Sequence, residues 1–257
     1  MNVARFRMVC AALVVSIAAM VAPAYAADKT NLVVLVASVS QDSFPEIAAA
    51  YTKTHPSVAI LPTYVGSTVI VNSVKQGAAA DVILISSLAL DDAVKPLVES
   101  PTQVFKLRSV LAVAKPSASR ISSLKDLAKP GVHFGAGVTG SALWLWQHTL
   151  VEKIDAAYGK DFATKFASNT TTTVTDMAHI VRDIDSGTID SAFVFTSDIK
   201  PATMVKIELP ADWQVAVPFV AAPVKASTHS DVAKDFAAFM TGPQAVAVFH
   251  AHGQETK

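Results

Sequence analysis

Short apolar runs alternate along this chain with stretches whose apolar residues recur every three or four positions, and this alternation constrains the fold most. Each run suits a strand buried on both faces, and each periodic stretch suits a helix laid over it, the pattern of parallel α/β units. In the first unit Leu32 to Ala37 is a strand, and Phe44, Ile47, Ala48 and Tyr51 follow the i, i+3, i+4, i+7 rule of a helix face. Ser43 and Glu46 have capping-box spacing, Pro45 falls in the first turn, and Pro56 closes the helix. Val58 to Leu61 is a second strand, a helix runs from Ser67 to a stop at Gly77, and Asp81 to Ile85 is a third strand. A further helix is expected near Leu90 to Val98.

The apolar strand Val110 to Ala114 then crosses into a second series. Val132 to Ala136 is a strand and Ser141 to Ile154 a helix. Met177, Ile180, Val181 and Ile184 mark another helix ending at Gly187, and Ile189 to Phe195 is a strand. Val215 to Val220 reads as a return strand, followed by helical positions at Val232, Phe236, Phe239, Met240, Val246 and Phe249. The expected fold class is α/β with two lobes, residues 27–108 plus 215–257 and residues 109–214, each a mostly parallel sheet flanked by helices. With no internal repeat and no long Gly/Ser-rich linker, crossing strands join the lobes. Lys+Arg and Asp+Glu stand at 21 each, so no basic excess points to nucleic acid.

The N-terminus indicates export. Arg5 and Arg7 precede the apolar run Met8 to Ala22, followed by Pro23 and the small-residue site Ala24-Tyr25-Ala26. That is a secretory signal, residues 1–26, cleaved after Ala26. At about 15 apolar residues the run is short of the roughly 20 that span a bilayer. Cys10, the single cysteine, lies inside this segment, too early to be a lipid-modified cysteine, so the mature chain has neither disulfide nor thiolate metal site. A freely diffusing periplasmic protein is expected.

Motifs for catalysis are missing: no G-x-S-x-G, H-E-x-x-H or G-x-x-x-x-G-K-[ST] occurs, and no cysteine nucleophile remains. His250 and His252 are poorly spaced for a shared metal, and His148 is a polar helix position. Gly135-Ala136-Gly137-Val138-Thr139-Gly140 fits G-x-G-x-x-G, but the dinucleotide reading also needs an acid at the end of the next strand. The same turn at a helix N-terminus suits a smaller anion, and a tight turn with no ligand is the alternative. Ala37-Ser38-Val39-Ser40 and Gly66-Ser67-Thr68 put hydroxyls at two more strand ends, where each is an N-cap or an anion donor. None of the three corners holds Lys or Arg, which suits a desolvated oxyanion held by hydroxyls and amides.

Several segments together resemble the periplasmic molybdate-binding proteins of ABC transporters, in the type II periplasmic-binding-protein fold. They are Ala37-Ser38 with Asp42, Phe44 and Glu46-Ile47-Ala48; Gly66-Ser67; Gly77 with Ala80-Asp81-Val82; Ser186-Gly187 with Asp190, Phe193-Val194 and Ser197-Asp198; and Gly242-Pro243-Gln244-Ala245 ahead of Gly253. The resemblance covers nearly the whole mature chain. It implies two lobes closing on a dehydrated tetrahedral oxyanion, molybdate or tungstate, and a closed form that docks on a permease driven by an ATPase. It places ligand contacts at Ser67, at Ser38 or Ser40, at Thr139, Gly140 and Ser141, and at the backbone amide of Met177. The family's first-corner serine falls on Val39, and its oxyanion-touching tyrosine falls on Phe195, which has no hydroxyl to donate.

The expectation is therefore capture without chemistry, by a monomer with no cofactor and no direct cation site. A binding protein of the same fold for another anion or a small organic ligand, in transport or sensing, is the nearest alternative. An exported Ser/His/Asp hydrolase is a more distant one. The three corners carry no aromatic platform of the kind a sugar or peptide needs, although Trp144 and Trp146 follow the third corner, where at least one of them is expected in the core.

Overall fold

The computed structural model describes residues 29–256, so the export segment expected over residues 1–26, with Cys10, lies outside the described residues. Nine strands form one mixed sheet: β1 (Thr30–Ala37), β2 (Val58–Val65), β3 (Val82–Ser86), β4 (Thr102–Ala114), β5 (Phe134–Gly137), β6 (Thr170–Val174), β7 (Ser191–Phe195), β8 (Met204–Glu208) and β9 (Ala216–Pro223). Their order is β2-β1-β3-β9-β4-β7-β5-β6, with β8 also on β4. Around it pack α1 (Phe44–Thr54), α2 (Ser67–Lys75), α3 (Ala142–Tyr158), α4 (Lys160–Ser168), α5 (Met177–Asp185), α6 (Ser230–Phe239) and α7 (Pro243–Ala251).

The 13-residue β4 divides the sheet. From Thr102 to Arg108 it pairs antiparallel with β9, which continues to β3 and the parallel pair β1–β2. From Ser109 onward it pairs instead with β7 and β8, and β7 leads to the parallel strands β5 and β6. One strand thus belongs to both halves of the sheet. At the crossover the fully buried Ser109 accepts the indole N–H of Trp146 at 2.9 Å and donates to the Val215 carbonyl at 2.9 Å. Trp146 is 1% exposed, so it is the core tryptophan of the pair, while Trp144 stacks on His148.

Each half has a carboxylate that gathers chain segments. Asp81, 5% exposed, accepts the Val33 N–H at 2.7 Å and the Ser227 hydroxyl at 2.5 Å, with the His229 ring at 3.2 Å. Asp190 accepts the His133 N–H, the Ser117 hydroxyl and an Arg120 contact. Burial opposes ionisation of Asp190, yet these donors outweigh it and hold its carboxyl below the usual range.

Three local expectations are corrected. Ser43 is the residue before α1 but has helical dihedrals and makes no side-chain cap, so the Ser43–Glu46 capping box is absent; Glu46 contacts His252 instead. The helix expected near Leu90 to Val98 is a series of turns with only a 3-10 turn at Lys95–Leu97. Asp91 stops it, because its carboxylate accepts the N–H groups of Ala93 and Val94 at 3.0 Å. The strand at Val110 to Ala114 begins eight residues earlier, at Thr102.

Candidate functional site

The carboxyl ends of β1, β3 and β7 and the N-termini of α2, α3 and α5 converge on a cavity that β9 closes from behind. The first half of the sheet lines it with Ser38, Val39, Gly66, Ser67, Thr68 and Ser86, and β9 adds Val217 and Phe219. The second half contributes Ala142, Leu143 and Trp146 from α3, Thr175, Asp176 and Met177 at the start of α5, and Phe195. No Lys or Arg lies among the lining residues. The centre of a water-sized sphere can occupy about 40 Å³ of it.

The hydroxyls are arranged as donors. Ser67 Oγ accepts the Ser86 N–H at 3.0 Å, Ser86 Oγ accepts the Leu88 N–H at 3.3 Å, and Thr68 Oγ1 accepts the Ala142 N–H at 2.8 Å. A hydroxyl whose oxygen is engaged in this way still has its proton to give. Backbone donors reinforce them: Gly66 leads into α2 with no side-chain cap, leaving its first-turn N–H groups to the cavity. Asp176 caps α5 by accepting the His179 N–H at 3.1 Å and engages the His179 ring at 2.7 Å, so its charge is answered locally. The Met177 N–H, at the first position of α5, is not the amide that Asp176 caps.

The two halves approach closely here. A Cβ on Gly66 would stand 2.6 Å from the Thr175 carbonyl oxygen, so this contact admits only glycine. One on Gly137 would meet the Trp144 nitrogen at 2.5 Å, and the Gly137 N–H donates to Gln147 at 2.7 Å. That close strand-to-helix packing accounts for Gly137, and a left-handed φ of 82° accounts for Gly140, with no dinucleotide required.

Residues 32–255 match the family described as bacterial extracellular solute-binding proteins. The chain belongs to this family. The Bacillus subtilis (strain 168) protein YvgL, named as an ABC transporter substrate-binding lipoprotein, is 25% identical over 247 residues, covering 88% of this chain and 86% of YvgL. The periplasmic molybdate-binding protein of Azotobacter vinelandii superposes with a TM-score of 0.75 at 19% identity, over 88% of this chain and 99% of that one. The sulfate-binding protein SubI of Mycobacterium tuberculosis H37Rv gives 0.75 at 17% identity, over 88% and 87%. Both structures are similar in fold, which for this solute-binding protein is the two-lobed α/β architecture.

Of the residues expected to hold the ligand, Ser38, Ser67, Met177 and Phe195 line the cavity together, and so does Val39. The remaining four do not line it. Ser40 is fully buried beside Gln254, whose amide reaches it at 3.4 Å. Thr139 and Gly140 are exposed, and Ser141 Oγ is engaged in capping α3 through the Trp144 N–H at 3.1 Å. Ala142 and Leu143 stand at the cavity in place of that turn. Thr68, Ser86, Thr175 and Asp176 were not singled out; Thr68 lies in a corner the sequence marks, whereas only the fold brings Ser86 to Ser67.

Beside it lies a second, larger cavity of about 460 Å³ by the same measure, which shares Ser38 and Val39 and is bordered by Asp42, Arg182, Asp185, Asp198, Lys200, His252 and Gln254. Burial, aided by the facing Asp42, pushes the Asp198 carboxyl up to about 7, against the Phe195 N–H and Lys200, which favour its charge. Among the described residues no hydrogen bond joins a serine hydroxyl to a histidine ring; the Ser227 hydroxyl and the His229 ring both address Asp81, and only the His229 backbone N–H reaches Ser227 Oγ, so no nucleophile–base pair forms there.

Proposed function

We propose that this protein is the exported solute-binding component of an ABC transporter and captures a small oxyanion, most closely matching molybdate or tungstate. The lobes in this reading are residues 27–108 plus 215–257 and residues 109–214, hinged where the chain passes between them, at Ser109 in β4 and at Val215 just ahead of β9. After cleavage of residues 1–26 it works as a periplasmic monomer, passing its ligand to an inner-membrane permease and ATPase without turnover or cofactor.

The observation that carries the reading is the cavity: small, free of cationic side chains, and lined by the hydroxyls of Ser38, Ser67, Thr68 and Ser86, which among the described residues donate to no protein acceptor. Such a site favours an acceptor-only ligand over an amine or a metal cation. A dehydrated oxyanion held by neutral donors meets no fixed countercharge, and the first-turn amides of α2 and α5 supply partial positive charge. Ser38, Ser67 and the Met177 amide are the proposed contacts. The fold is shared with binding proteins for molybdate and for sulfate, so selectivity rests on the wall, where Val39 and Phe195 replace two hydroxyl-bearing positions of the molybdate-binding pattern. A thermal-shift panel of molybdate, tungstate, sulfate and phosphate tests this: stabilisation by one or two of the four is expected, and no stabilisation by any of them would overturn the oxyanion reading.

A further inference from the structure

Thr68 is placed unlike any other hydroxyl of the site. It stands at the second position of α2 in the first half of the sheet, yet its oxygen accepts a backbone N–H from Ala142, the first residue of α3 in the second half, 74 positions along the chain. Both residues line the same cavity. The bond exists only while the two halves are together. When they part, Thr68 loses the donor that fixes its oxygen, and the Ala142 N–H loses its acceptor.

We infer that Thr68 is the residue through which ligand capture and lobe closure become one event: it latches α3 across the cleft and, held so, donates its hydroxyl proton to the bound oxyanion. The inference rests on the oxyanion reading for the donation and on the observed contact alone for the latch. A hydroxyl that accepts from an N–H is polarised and has its remaining proton directed elsewhere, which makes it a better donor. Ser67 and Ser86 have the same arrangement but with acceptor and donor in the same half. They therefore offer the ligand equal donors in open and closed forms. Thr68 offers a fixed donor only in the closed form, and a ligand shifts an equilibrium only through contacts that differ between the two states. Gly66, two residues earlier, lets α2 come close enough for the bond, since any side chain there would strike the Thr175 carbonyl.

The test compares Thr68→Val, which keeps the shape and removes the hydroxyl, with Thr68→Ser, which keeps the hydroxyl. Two readouts are needed. The first is the affinity and dissociation rate for the oxyanion that binds the wild type, with release followed by the fluorescence of Trp146 in the cavity wall. The second, in ligand-free protein starting at Ala27, is the distance distribution between spin labels at Leu88→Cys and Leu145→Cys, exposed positions of the first and second halves that border one pocket. Thr68→Val is expected to weaken binding by about 10- to 100-fold, mostly through faster release. It should also lengthen the label distances, while Thr68→Ser stays close to wild type in both. If wild type binds an oxyanion and Thr68→Val matches it in affinity, release and distances, the inference is wrong. If wild type binds none of the four oxyanions, the ligand reading fails, and the label distances still decide the latch: unchanged distances in Thr68→Val overturn it.

Discussion

Ser67 is framed on both sides: its oxygen takes the Ser86 N–H, and its residue opens α2 with no cap ahead of it. Its hydroxyl proton is left for a ligand. Replacing Ser67 by Ala should weaken oxyanion binding by about 10- to 100-fold, the range for a hydrogen bond of about 1.5–3 kcal/mol to a charged acceptor. The fold should survive, with a melting temperature lowered by only a few degrees, because the loss inside the protein is one N–H acceptor. Equal affinity in Ser67→Ala, measured by titration, would remove Ser67 from the site. At this scale the sequence was half legible. Hydroxyls at strand ends point to Ser38 and Ser67, which line the cavity and are placed there by their neighbours in the chain. The turn Thr139–Ser141 stands away from the cavity, because Gly140 takes a left-handed φ of 82° at an exposed position and Ser141 caps α3. Ser86 gave no signal, since its role depends on a neighbour 19 residues away.

Elements were more legible than sites, because burial leaves a pattern that hydrogen-bond partners do not. Strands sealed on both faces, such as β3 and β7, read as continuous apolar runs. The strands that escaped notice are edge strands: β6 is Thr-Thr-Thr-Thr-Val and β8 is Met-Val-Lys-Ile-Glu, both largely open to solvent and so without an apolar run. Helix α4 likewise buries only Phe166. What joins the elements is again invisible locally. Asp81 binds β1 through Val33 and the segment after β9 through Ser227, 48 and 146 positions away. Asp81→Ala should cost about 2–3 kcal/mol of stability by leaving buried donors unmatched. A urea unfolding curve would show a lower midpoint at unchanged slope; an unchanged midpoint would mean that this carboxylate ties nothing together.

At the scale of the whole molecule, the larger cavity is bordered by residues of both halves, and a buried carboxyl there couples stability to pH. Asp198 has its carboxyl pushed up to about 7 by burial and by Asp42, against an ordinary 3.8. The folded protein therefore holds this proton more tightly than the unfolded chain. Its contribution to stability is greatest below about pH 4, declines as pH rises, and levels off above about pH 7. Asp198→Asn, which still accepts the Phe195 N–H, should leave Tm nearly unchanged at pH 4. At pH 8 it should raise Tm by about 2–4 °C, the effect of about 1 kcal/mol in a chain of this size. A Tm difference that is the same at both pH values would contradict this role.

The central claim is that a cavity without a cation, built from hydroxyls and helix amides across two lobes, binds an oxyanion. Calorimetric titration of the protein starting at Ala27 with molybdate tests it most directly, with sulfate titrated into a second sample. One site per chain, micromolar or tighter for molybdate and with little heat from sulfate, is the predicted result. Silence with both anions would contradict the account.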